Sequence, residues 1–136
     1  MKKVLDKNGE MSIIEIDGEY IGSGTILRDA TDDDVQLYDM SEKNIAIHKL
    51  YNTMVSDIYT QMESVFGTRN DASAQAYAST WEAMLARPAN YVNTDLGLAD
   101  EQAVIDYATE KLNAADAYAV YRMNRIKQYE ADKAAL

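Results

Sequence analysis

Apolar residues recur at spacings of three and four over two long stretches of this 136-residue chain, and that period commits most of it to helix. In the first stretch Ile47, Tyr51, Met54, Ile58, Met62 and Val65 mark one face, widened by Leu50, Val55, Tyr59 and Phe66. A stripe that wide requires more than one neighbour. The second stretch reads Ile105, Ala108, Leu112, Ala115, Ala119, Ile126 and Tyr129, beside a row of Val104, Tyr107, Tyr118 and Tyr121. Alanines permit close approach of another helix, so the first row is expected to pack within the chain. The tyrosine row is then the face left for something else.

Helix ends are also marked. Thr31 followed by Asp32, Asp33 and Asp34 offers a side-chain acceptor for orphan amides and negative charge for the positive end of the helix dipole. Gly67 stops that helix near Phe66. Ser41 and Asn44 are weak helix formers, which admits a break there and a short lead helix over about 32–40. Asn70 or Asp71 caps a second helix from about 72 to 86, with Tyr77, Trp81, Met84 and Leu85 expected inward and Pro88 ending it. Residues 88–97 read as a loop, and Asp100 caps a last helix reaching about Lys133.

Residues 2–28 have a different grammar. Val4-Leu5 and Met11 to Ile16 are strand-like runs, and Asn8-Gly9 and Asp17-Gly18 supply the positive φ angles of tight hairpins. Tyr20-Ile21 and Thr25 to Leu27 suggest a third and a fourth short strand around the bend at Gly22-Ser23-Gly24. So few strands are unstable alone and must be covered. The predicted fold is mainly α, a helical bundle or long helical hairpin with a small N-terminal antiparallel β-meander, divided as a meander over 1–30 and a helical body over 31–136.

Charge narrows the partners. With 13 basic and 23 acidic residues the net charge is −10, which disfavours nucleic acid and anionic membranes as partners. Residues 1–42 hold four basic and eleven acidic side chains, so the acidic end is the N-terminal one. The absence of cysteine removes disulfides and thiol chemistry. Met1-Lys2-Lys3 is followed by no apolar signal core, and no run approaches the ~20 apolar residues of a spanning helix. The expectation is a soluble protein.

Chemistry is sparse. His48 is the only imidazole, and a histidine base needs an orienting acid and a reacting group beside it, which the sequence does not supply. One histidine and no cysteine cannot make a zinc site within one chain. Counted from Asp29, the glycine and glutamate places of an EF-hand loop hold Asp34 and Met40. Gly22-x-Gly24 has Leu27 where the dinucleotide fingerprint requires its third glycine. Asp106 and Glu110, one turn apart beside Tyr107, could form half of a carboxylate metal site, though without a histidine on that helix. No cofactor, metal or catalytic residue is therefore expected, and the chain reads as a non-enzyme.

Ten tyrosines instead suggest surface that binds. Arg122 and Arg125 lie among Tyr118, Tyr121 and Tyr129, and arginine with tyrosine is a common interface pairing, so these five are the predicted partner-binding residues. The acidic N-terminal segment of an adjacent copy is an expected counterpart. Val4-Leu5-Asp6-x-Asn8-Gly9, Ile16-Asp17-Gly18-Glu19-Tyr20 and the ending Tyr121-Arg122-Met123-x-Arg125-Ile126-x-x-Tyr129 together resemble, in general style, small accessory proteins of tailed bacteriophages. That resemblance covers minor virion components and tail-fibre assembly proteins. It implies a structural or adaptor subunit, or else a transient assembly chaperone, with protein partners or copies of itself, in the virion or the host cytoplasm. A small ligand-binding or metal-binding bundle using Asp106, Tyr107 and Glu110 is the reading from another class.

Overall fold

The computed structural model describes residues 1–136. The protein is mainly α, with a small three-stranded antiparallel sheet at its N-terminal end. Strands β1 (Lys2–Lys7), β2 (Glu10–Glu15) and β3 (Thr25–Asp29) precede helices α1 (Asp32–Phe66), α2 (Asp71–Ala86) and α3 (Glu101–Ala134). Two 3-10 turns, Pro88–Tyr91 and Thr94–Leu96, occupy the stretch expected as loop. Two compact units emerge, residues 1–49 with Leu136, and residues 50–135.

In the first unit the β1–β2 turn places Asn8 and Gly9 at φ 55° and 84°, the positive pair that a tight hairpin needs. It fixes the register from Lys7 opposite Glu10 to Lys2 opposite Glu15. The third strand does not extend from β2 but returns to the free edge of β1, giving the order β2-β1-β3. Tyr20-Ile21, expected as a strand, is irregular, and its tyrosine hydroxyl instead donates to the Ser23 carbonyl at 2.7 Å. Gly24 must be glycine here. Its φ is +95° and a Cβ would lie 2.6 Å from the Asp6 carbonyl oxygen. Because β1 is central, Val4 and Leu5 are both buried although they point to opposite faces. Val4 and Ile13 line a groove of about 310 Å³ with Leu37 and Tyr38 of α1.

Helix α1 begins in a reciprocal cap. Thr31 Oγ1 accepts from the Asp34 amide at 3.2 Å, and Asp34 Oδ2 accepts from the Thr31 amide at 2.8 Å. The helix then runs unbroken through Ser41 and Asn44. Two weak helix formers cost a few tenths of a kcal/mol each, too little to interrupt it.

The second unit is organised by α3. Asn70 and Asp100 cap α2 and α3 by accepting from the amides of Ser73 and Ala103 at 2.9 and 2.8 Å. Trp81 and Met84 of α2 pack with Leu98, Val104 and Ala108, and Phe66, Leu112 and Ala115 close over them. Small side chains at Ala74, Ala78 and Ala108 let the two backbones approach. Met54 and Ile58 of α1 bury against Tyr129 at the other end of α3, with Leu50, Val55, Tyr118 and Tyr121 around them. Two inward assignments on α2 differ from expectation, since Tyr77 and Leu85 are exposed and Ala74 is buried. Trp81 and Met84 set the phase of that helix, and Tyr77 reaches Trp81 only through ring stacking at 6.3 Å from the solvent side.

Met62 is 1% exposed, whereas Met40 on the same helix is open to solvent. Met62→Ala is expected to lower the unfolding free energy by about 2–4 kcal/mol through transfer and cavity terms, and Met40→Ala to change it by less than about 0.5 kcal/mol. Equilibrium denaturation of both variants checks this.

Candidate functional site

The five residues predicted to bind a partner do come together on one side of α3, and that side is turned to α1. Tyr118, Arg122, Arg125 and Tyr129 follow at steps of four, three and four, one helical row. Tyr129 is only 8% exposed and meets the Tyr51 ring edge-on at 5.9 Å. Tyr118 meets Phe66 edge-on at 5.6 Å, and Tyr121 is half-buried beside Met54 and Ile58. Phe66 in turn stacks on Trp81 at 5.5 Å, so one aromatic chain links all three helices of this unit.

Both arginines have partners inside the chain. Arg125 Nε donates to Asp57 Oδ2 at 3.0 Å, the better covered of the two pairs. Arg122 Nη1 donates to Asp71 Oδ1 at 3.2 Å and lies 3.4 Å from the Tyr118 hydroxyl. Partial burial works against the Arg122 charge, but the hydroxyl and the carboxylate outweigh it and hold its pKa above the ordinary guanidinium value. These contacts pair both arginines within the chain.

The inward row of α3 runs through Val104, Ala108, Ala115, Tyr118, Arg125 and Tyr129, with Val104 wholly buried. Ala119 and Ile126, expected inside, are exposed, and Tyr107 is the tyrosine of the second row that stays open. The open side of α3 carries Val120 and Met123, which are 52% and 50% exposed, together with Ile126. Periodicity singles out neither Val120 nor Met123. The signal available in the sequence is the four-three-four row of Tyr118, Arg122, Arg125 and Tyr129, which can face α1 because Asp57 and Asp71 await the arginines.

Further apolar side chains stand open elsewhere: Leu37, Met40 and Ile45 on the first part of α1, and Tyr51 and Tyr77 in the second unit. The chain exposes 9461 Å² at 15.2 kDa, where a compact chain of that mass exposes about 7,100 Å². Treated as two separate compact bodies it would still expose only about 8,500 Å². Self-burial is therefore incomplete within the units themselves.

The remaining chemistry is thin. A groove of about 380 Å³ runs between Met62, Phe66, Ala74 and Ala115, with Glu82 and Asp116 on its rim. Its lining contains no serine, threonine, histidine or lysine. Asp106 accepts from Gln102 at 2.9 Å on the exposed face of α3, and no three His, Cys, Asp or Glu side chains converge anywhere. His48 is exposed on α1. No helix is long and apolar enough to cross a membrane. The one strongly shifted acid is Asp34: Arg28, whose Nη2 lies 2.7 Å away, and the Thr31 amide hold its carboxyl well below the usual carboxylate range.

No protein family matches the chain, and no curated protein or solved structure shows significant similarity to it.

Arg125→Ala is expected to lower stability by about 1 kcal/mol, and a double-mutant cycle with Asp57→Ala to return a coupling of about 0.5–1 kcal/mol, since the carboxylate is only partly covered. Asp34 titrates with the opposite kind of signature. Its folded pKa is depressed, so its contribution is complete above the ordinary value of 3.8 and is lost only as pH falls below that. The Thr31 amide resonance should therefore begin to move below this pH in an NMR titration, and Asp34→Asn should abolish the transition.

Proposed function

We propose that this chain is a non-enzymatic structural or adaptor subunit that docks into a larger protein assembly through exposed helical surface. The observation that carries the reading is the surplus of accessible area, with open apolar side chains at Leu37, Met40, Ile45, Tyr51, Tyr77, Tyr107, Val120 and Met123. Apolar surface left in water is destabilising relative to burial by about 25 cal/mol per Å², and docking recovers that term. Exposed tyrosines suit such contacts because the ring is covered while the hydroxyl stays hydrated. The tyrosine and arginine row from Tyr118 to Tyr129 supports docking indirectly, by packing α3 on the second part of α1 and so leaving its other face open.

The resemblance of the hairpin and C-terminal segments to accessory proteins of tailed bacteriophages suggests the kind of assembly, a virion or its precursor. Net charge of −10 favours protein over nucleic acid within it.

Mass and composition of the native assembly test this reading. The chain is expected to remain at fixed stoichiometry through gradient purification, and Leu37→Asp with Met40→Asp is expected to reduce its occupancy at least about tenfold without loss of helicity. Presence in precursors but absence from finished particles would mark it as an assembly chaperone instead. A chain found only free in its source would overturn both.

A further inference from the structure

We infer that the open face of α3 is a self-complementary seam that pairs antiparallel with α3 of a second copy. This rests on the reading of the chain as an assembly subunit and names one of its partners. Asp116, Val120, Met123 and Lys127 follow at steps of four, three and four, so they form one row, and all four are exposed. The intervals are those of a two-helix seam. The row reads acid, apolar, apolar, base, and turning it end for end keeps the spacing while exchanging the charges.

A twofold axis between Tyr121 and Arg122 therefore places Val120 against the partner's Met123 and Asp116 against the partner's Lys127, each contact occurring twice. Continued outward, Asn113 meets the partner's Glu130 and Thr109 meets the partner's Ala134, so no like charges oppose along the seam. A parallel arrangement would set Asp116 on Asp116 and Lys127 on Lys127. Charge thus selects both the occupant and its direction.

Two features of the chain fit this. The seven ion pairs within it leave out both Asp116 and Lys127. Helix α2 begins level with Arg122, as the 3.2 Å contact from Asp71 shows, so the axis falls where α2 starts. Each copy's α2 then flanks a different half of the seam. With only two apolar layers the interface is small, and its Kd should be on the order of 10–100 µM.

Sedimentation equilibrium of the full chain tests the seam. The parent should dimerise in that range and dissociate more readily at high salt. Asp116→Lys alone and Lys127→Glu alone should each weaken the dimer at least about tenfold, because each sets like charges together twice. The double variant Asp116→Lys with Lys127→Glu should return to within about threefold of the parent. An equimolar mixture of the two single variants should form mixed dimers, since the charges are again opposite. A parent that stays monomeric up to about 500 µM, single variants that dimerise as the parent does, or mixed and double variants without recovery, with helicity preserved, would each overturn the seam. A monomeric parent still retained in the native assembly removes this seam alone, whereas a charge-dependent dimer found in no larger assembly removes the subunit reading alone.

Discussion

Burial of one inward row of α3 against two different neighbours, α2 near its start and α1 near its end, is the constraint on which residues 50–135 depend. Near its start, Val104 and Ala108 face α2 and bury against Trp81 and Met84. Near its end, Tyr129 faces α1 and buries against Met54 and Ile58. Phe66 joins the two clusters by touching both Trp81 and Tyr118.

This arrangement divides the aromatic and charged residues between two tasks. The row from Tyr118 to Tyr129 commits its rings and guanidinium groups to α1, Asp57 and Asp71. That leaves the opposite face of α3 with Val120 and Met123, and it leaves Asp116 and Lys127 unpaired. In residues 1–49 charged and polar groups again tie neighbouring elements together, where Arg28, Thr31 and Asp34 join the end of β3 to the first turn of α1.

Local signals are readable wherever one residue decides the backbone. Asn8-Gly9, Asn70, Asp100 and Gly67 mark turns and helix ends at the expected places, because their φ angles or side-chain acceptors act within a few residues. The phase of α3 is not readable in this way. Ala119 and Ile126 continue an apolar row as well as Tyr118 and Tyr129 do, and what other elements present, Met54, Ile58 and Asp57 of α1 together with Phe66 and Asp71, decides between the rows. The return of β3 to β1 is likewise hidden, since it depends on the bend near Gly24 and on pairing across twenty residues. The role of the arginine and tyrosine row is not legible in the same way: composition marks it as contact surface, and the contacts the structure shows for it lie within the chain.

Which face of each element is covered can be tested directly with the methionines, which are distributed across both kinds of surface. Hydroxyl-radical footprinting of the free chain, read residue by residue in mass spectrometry, reports side-chain access. Met54, Met62 and Met84 should oxidise slowly, and Met11, Met40 and Met123 should oxidise at least about tenfold faster, as their burial requires. Slow oxidation of Met123 with fast oxidation of Met62 in the folded monomer would contradict the packing and, with it, the free face of α3.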